Sequence, residues 1–164
     1  MKNVLIFFFI LTAFFSFPDA DSDAATFYEQ ATILYNQKDF IEAIKIFKDT
    51  ALLYEKIESD NKLNKAYINV WIGACYYYLS DHKTAIQYYE ESIKIEETYN
   101  DKENLLRAIN AISSSLNILQ KYDKIIEYYK KAVSICEELG KKDIMGVYLT
   151  HIATYYYNLQ RYDD

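Results

Sequence analysis

The sequence predicts an all-α solenoid of stacked antiparallel helix pairs, about three and a half of them, and three observations carry that reading. A turn segment recurs along the chain, as Lys38-Asp39-Phe40-Ile41-Glu42-Ala43, Ser80-Asp81-His82-Lys83-Thr84-Ala85, Lys121-Tyr122-Asp123-Lys124-Ile125 and Arg161-Tyr162-Asp163-Asp164. The small or aliphatic residue that ends the first three, Ala43, Ala85 and Ile125, returns after 42 and then 40 residues, too regularly for unrelated helices. Between the turns, apolar residues fall three and four apart, the period of a helix with one buried face. The composition agrees: three glycines and one proline in 164 residues, with 51% hydrophobic residues, exclude collagen, a disordered tail and a Gly/Pro-rich β-sandwich.

The first 22 residues read as an export signal. Met1-Lys2 gives a positive start, Val4 to Phe17 is almost entirely apolar, and Pro18-Asp19-Ala20-Asp21-Ser22 is a polar stretch with small residues suited to cleavage. A cut before Asp23 would place Ala20 and Ser22 at the specificity positions, whereas a cut after Ala20 would put Pro18 upstream. The apolar run is shorter than the roughly 20 residues a helix needs to cross a bilayer, so a removable signal is preferred to a permanent anchor. The expected location is therefore the periplasm or cell envelope, with no membrane span in the mature segment, residues 23–164.

Four units follow, at about 24–60, 61–100, 101–141 and an incomplete 142–164. Ahead of each turn lies a first helix, with Ile72, Gly73, Tyr76 and Leu79 on its inner face in the second unit, Ile112, Ser113, Leu116 and Leu119 in the third, and Ile152, Ala153, Tyr156 and Leu159 in the fourth. After each turn comes a second amphipathic helix, in which Ala43/Phe47, Ala85/Tyr89 and Ile125/Tyr129 stand four apart on one face. The fourth unit stops one residue before that slot, so Leu149, Ile152, Ala153, Tyr156 and Leu159 are not all expected to be covered. Small residues at Ala31, Gly73, Ser113 and Ala153 allow close helix crossing. Gly73→Leu is expected to overpack the crossing, and Gly73→Ala to be mild or stabilising because alanine is the better helix former.

With these residues in register, the chain resembles the tetratricopeptide repeat family, whose pattern is W-x2-L-G-x2-Y, then A-x3-F, then P. The second unit reads Asn69-x2-Ile72-Gly73-x2-Tyr76 and Ala85-x3-Tyr89; the first, Phe27-x2-Gln30-Ala31-x2-Leu34 and Ala43-x3-Phe47. The third reads Ile109-x2-Ile112-Ser113-x2-Leu116 and Ile125-x3-Tyr129, and the fourth begins Leu149-x2-Ile152-Ala153-x2-Tyr156. The closing proline is missing from every unit, Ile125 replaces alanine, and the period is about six residues longer than the usual 34. Such long repeats are similar to those of bacterial signalling regulators and peptide receptors. The resemblance implies a right-handed superhelix whose first helices line a concave face, and a protein or peptide partner.

Charge and chemistry narrow the function further. A formal net charge of −6 with no basic block argues against nucleic acid as a partner, since phosphate must be neutralised by Lys and Arg. Two cysteines, Cys75 and Cys136, cannot make a disulfide framework or a zinc site; their places on non-neighbouring helices predict two buried free thiols. Catalysis lacks a constellation. His82 occupies a turn slot filled by Phe40, Tyr122 and Tyr162 elsewhere and reads as packing, His151 has no acidic residue on its helical face, and Ser113-Ser114-Ser115 lies inside a helix with no glycine elbow. The chain therefore reads as not an enzyme, with no cofactor and no metal. Glu90/Lys94 and Glu127/Lys131, four apart, read as ion pairs along a solvated outer face.

The candidate binding surface is the concave face. Rotation by about 100° per residue turns Tyr77 and Tyr78 toward it while Tyr76 takes the core slot, and Tyr156 and Tyr157 repeat that division. The same register places Tyr28, Thr32 and Tyr35 there in unit one, Val70, Trp71 and Ala74 in unit two, Asn110, Ser114 and Asn117 in unit three, and His151, Thr154 and Tyr157 in unit four. Tyrosine offers contact area at low entropic cost and asparagine can bond both groups of a peptide backbone. The carboxylate clamp of chaperone-binding family members, built from Lys, Arg and Asn, is not supported, because Arg107 is the sole cation on this surface. The reading is a non-catalytic interaction module; the alternative is the N-terminal sensory region of a bacterial histidine kinase or helix-turn-helix regulator, truncated at residue 164.

Overall fold

The computed structural model describes residues 20–56 and 62–162. Seven α-helices and no strand occur among them: α1 (Ala20–Asn36), α2 (Phe40–Lys56), α3 (Lys62–Tyr78), α4 (His82–Tyr99), α5 (Lys102–Ile118), α6 (Tyr122–Glu138) and α7 (Lys142–Tyr162). Each helix packs on the next in sequence, and α3 also touches α5, so the pairs α1/α2, α3/α4 and α5/α6 stack with α7 beyond them. This is an all-α helical repeat solenoid. Most of the export segment, residues 1–19, lies outside the described residues, and its last three residues form the first turn of α1.

The turns repeat in backbone as well as in sequence. Lys38, Ser80 and Gln120, at the junction inside each pair, and Asn100 and Gly140, between pairs, all adopt left-handed φ of 55° to 69°. A single left-handed residue ends a helix by bringing the next amides back onto its last carbonyls: Asp39 N donates to Leu34 O, Asp81 N to Tyr76 O and Lys121 N to Leu116 O, each at 2.9–3.0 Å. Asp81 and Asp101 then cap the following helix, their carboxylates accepting from Thr84 N (3.1 Å) and Asn104 N (3.2 Å), which satisfies amides that have no partner within the helix. Of the fourth expected turn, Arg161 and Tyr162 are helical residues at the end of α7, and Asp163-Asp164 lies outside the described residues.

Two hydrophobic clusters form the interior. One gathers Ala31, Ala43, Phe47, Ile68, Ile72 and Cys75 from the first two pairs; the other gathers Ala85, Tyr89, Ile109, Ile112, Leu116, Ile125, Tyr129 and Tyr148. Both cysteines are buried and free, as the sequence predicts, and burial raises the Cys75 thiol to about 12.

Gly73 corrects an expectation. A Cβ at this position would lie 2.5 Å from Cε1 and 2.8 Å from Cδ1 of Tyr89, a ring that is itself only 2% exposed. The helices cross closely here, and even alanine forces the buried ring to move, so Gly73→Ala is destabilising despite its helix propensity.

The outer charges differ too. Lys124 pairs with Glu90 (3.8 Å) and Lys131 with Glu97, joining α4 to α6 across the outer face instead of Glu90 to Lys94 and Glu127 to Lys131 along single helices. Adjacent second helices lie side by side, and a long lysine reaches its neighbour as readily as its own next turn. Further such links join Lys65 to Glu55 and Glu91, Lys102 to Glu138 and Lys141 to Glu103. Exposed pairs of this kind contribute at most about 1 kcal/mol each.

Candidate functional site: the concave face

The first helices α1, α3, α5 and α7 carry the candidate groove, and the structure divides it into two unlike halves. In the first two units every candidate except Tyr78 is half-buried: Tyr28, Thr32, Tyr35, Val70, Trp71, Ala74 and Tyr77. In the last two units Asn110, Ser114, Asn117, His151, Thr154 and Tyr157 are all exposed.

Aromatic packing covers the first half. Trp71 stacks on Phe47 with ring centres 6.0 Å apart and meets Tyr35 edge-on at 4.9 Å. Tyr78 lies flat on Phe40 at 5.1 Å, meets Tyr35 at 5.9 Å and remains 58% exposed. Tyr28 packs between Phe47 and Tyr67, each at 6.0 Å. Edge-on and offset contacts place the positive rim of one ring on the negative face of another and add stability beyond the area they bury. Burial pushes the Tyr28 and Tyr35 phenols upward, and the neighbouring Tyr67 and Tyr78 hydroxyls raise them further. Phe40, Phe47 and Tyr67 escaped sequence reasoning. Phe40 opens α2 and Phe47 lies two turns along it, and only their convergence on Trp71 and Tyr78 brings them to this surface.

The second half keeps a free polar surface. Asn110 and Asn117 stand two turns apart along α5, with Arg107 exposed one turn before Asn110. The hydroxyls are less available than their residue types suggest. Ser114 Oγ donates to Asn110 O (3.2 Å), Thr154 Oγ1 to Thr150 O (2.9 Å), and in the first unit Thr32 Oγ1 to Glu29 O (2.7 Å). Each hydroxyl spends its proton on its own helix and keeps only acceptor capacity. His151 leans on the buried Tyr129, ring centres 5.7 Å apart. Tyr157 is 60% exposed. His82, by contrast, sits at a helix junction against Tyr77, centres 5.3 Å apart, which fits a packing role.

The division between neighbouring tyrosines also shifts in α7. Tyr156, expected in a core slot, is 45% exposed and has the Lys130 ammonium 5.5 Å from its ring centre. Tyr148 and Tyr155 face the core instead, against Tyr129 and Tyr122. Leu149 is 48% exposed and Ala153 is exposed as well, while Ile152 and Leu159 are half-buried. In the earlier units this face lies under the second helix of the same pair. Among the described residues, no group of three or more His, Cys, Asp or Glu is placed to hold a metal ion, and no helix is long and apolar enough to cross a membrane.

Comparison with known proteins agrees with this architecture. Two models described as tetratricopeptide repeat match residues 22–98 and 106–139. Among curated proteins, the RNA polymerase-associated protein CTR9 of Saccharomyces cerevisiae is 23% identical over 129 residues, covering 78% of this chain and 11% of its own length. The regulatory protein RapF of Bacillus subtilis is 25% identical over 123 residues, covering 72% of this chain and 31% of its own. The chain thus spans less than a third of either relative. Among solved structures, aspartyl phosphate phosphatase F from Bacillus subtilis superposes with a TM-score of 0.75 at 16% identity, covering 90% of this chain and 38% of that one. A Rap protein complexed with competence and sporulation factor gives 0.62 at 18% identity, covering 84% and 38%. These structures share the fold. By residue pattern, by helix stacking and by the family matches, residues 22–98 and 106–139 of this chain are tetratricopeptide repeats.

Proposed function

We propose that this chain is a non-catalytic binding module that holds an extended peptide or protein segment on its concave face, chiefly along α5 and α7. The observation that carries this reading is the exposure of Asn110, Asn117 and Tyr157 at positions whose counterparts in the first two units are half-buried. Exposed amides on a helix can satisfy both groups of a peptide backbone. The likeness to the Rap conjugation gene regulator of plasmid pLS20, solved in complex with the Phr* peptide, supports a peptide ligand. The amino-terminal sequence supports export to the periplasm or cell envelope through a signal at residues 1–22, and a mature terminus near Asp21 or Asp23, read by mass analysis of envelope fractions, tests that part.

The sole tryptophan gives the binding test. Trp71 adjoins the exposed half through α3, so its fluorescence is expected to change when a ligand binds, and Tyr78→Ala with Asn117→Ala is expected to weaken binding while helicity is preserved. A footprint confined to the outer helices, around Glu90 and Glu127, would sink the reading. A second reading, a sensory region of a larger signalling protein, is favoured by the small share of the regulatory relative RapF that the chain spans. Sequencing the gene beyond Asp164 separates the two: a kinase or DNA-binding segment there would favour the second.

A further inference from the structure

The second unit contains a buried polar cluster that the repeat pattern does not call for. Glu96 is 1% exposed, Ser92 is fully buried and Asn69 is 3% exposed. By register, Glu96 occupies the slot held by Tyr54 in the first unit and Cys136 in the third, Ser92 that of Thr50 and Ala132, and Asn69 that of Phe27 and Ile109. Three slots that are mostly apolar elsewhere have become polar together, at the joint between α3 and α4.

One hydroxyl proton stands between two acceptors here. Ser92 Oγ lies 2.8 Å from Ala66 O and 3.1 Å from Glu96 Oε1, and a hydroxyl has one proton. A carbonyl oxygen can only accept: when the hydroxyl proton serves Ala66 O, a protonated carboxyl completes the set by donating to Ser92 Oγ, and when it serves Glu96 Oε1, Ser92 donates to the carboxyl instead. Glu96 Oε2 has no partner, and neither has Asn69 Nδ2. An ionised carboxylate here would be buried and underbonded, which is costly. It would also lie in the last turn of α4, where converging carbonyls oppose negative charge.

No cation faces it. The charged group acting on Glu96 is Asp101, the cap of α5, which pushes its pKa the same way as burial does. Lys65 of α3 is engaged by Glu55 and Glu91, Lys102 of α5 by Glu138, and Lys131 of α6 by Glu97. Burial, with Asp101 adding to it and Ser92 opposing, raises the Glu96 carboxyl to about 7.

We infer that Glu96, with Ser92 and Asn69, makes the α3/α4 joint a proton-dependent latch, closed when the carboxyl is protonated and loosened when it ionises. The latch goes beyond the binding proposal and does not depend on which face carries a partner. Because α3 also carries Trp71 and Tyr78, loosening it disturbs the aromatic half of the concave face. The sign follows from linkage: the folded chain holds a proton that the unfolded chain releases near the ordinary carboxylate value, so stability falls as pH rises from about 4.5 to about 7 and then levels off. The loss reaches at most about tenfold in the folding equilibrium per pH unit inside that window.

Urea titrations of the wild type and Glu96→Gln at pH 5, 6, 7 and 8.5 test this, with Trp71 fluorescence and amide exchange at residues 62–78 and 82–99 read at each pH. Glutamine keeps the shape, donates to Ser92 Oγ and cannot ionise. The expected result is a stability advantage of the variant that widens between pH 5 and 7 and stays constant above, with exchange in α3 and α4 accelerating only in the wild type. Glu96→Leu, apolar like its counterparts in the other units, is expected to flatten the pH dependence likewise. Parallel pH curves for wild type and Glu96→Gln would overturn the latch. So would failure of both variants to fold, since that would make the carboxyl a fixed anchor.

Discussion

The amino-terminal and carboxy-terminal halves of this solenoid use the same repeat positions for opposite purposes. Val70, Ala74 and Tyr77 on α3 correspond to Asn110, Ser114 and Asn117 on α5, yet the first set is half-buried and the second exposed. The difference comes from neighbours. Phe40, Phe47 and Tyr67 lean over α1 and α3 and bind their concave residues into a ring-on-ring cluster, whereas Asn110, beside Tyr148, and Asn117 remain exposed on α5. The same contrast appears on the adjoining helix face: Gly73 is pressed against Tyr89, while Ala153, at the same repeat position, is exposed. Repeat position therefore specifies direction, and the flanking residues decide whether that direction is packed over or left exposed.

The sharpest test exchanges one side chain at that shared position. Gly73→Leu is expected to cost about 3 kcal/mol or more, because three carbons beyond a Cβ that already collides must displace the buried Tyr89 ring. Gly73→Ala is expected to cost about 1 kcal/mol after its propensity gain. Ala153→Leu, at the equivalent position, should leave the urea midpoint within about 0.5 kcal/mol of wild type; a loss comparable to that of Gly73→Leu would show that the α7 face is covered after all.

Next in size is the aromatic cluster. Trp71→Ala removes a half-buried indole in contact with Phe47, Tyr35 and Tyr67 and is expected to cost about 2–3 kcal/mol, somewhat below the fully buried case. Asn117→Ala, on the exposed half, is expected to change stability by less than about 0.5 kcal/mol. Equal thermal shifts for the two variants would erase the distinction between a structural and a free half.

The smallest effect on stability is expected at α7. Leu149→Lys with Tyr156→Lys changes two exposed side chains and is expected to leave the fold intact, while removing apolar surface of the kind that promotes association. Sedimentation showing the wild type already monomeric at high concentration would show that this face does not drive self-association.

Much of this was legible in the residues. The turn segments, spaced 42 and 40 apart, placed the helix pairs, and left-handed Lys38, Ser80 and Gln120 recur at the same step. The small positions Ala31, Gly73 and Ser113 are buried as register requires, and both thiols are buried and free. Other features were less accessible. Helical rotation assigns Tyr35 and Asn117 the same outward direction, because it knows only the residue's own helix. The ion pairs joining α4 to α6 escaped for a similar reason, since a lysine's choice between its own next turn and an adjacent helix depends on interhelical distance. Register did offer a sign at Glu96, a carboxyl in a slot held by Tyr54 and Cys136, but its burial beside Ser92 follows only from the packing of α3 on α4.

By itself the sequence determined the helices, their junctions and the order of stacking, because periodicity, turn residues and crossing positions act over a few residues and repeat. The tertiary structure alone decided which concave positions stay open, whether a Cβ fits at Gly73, and that Glu96 is buried where α3 packs on α4. These depend on atoms brought together from distant parts of the chain, and packing at van der Waals distance has no signature in spacing.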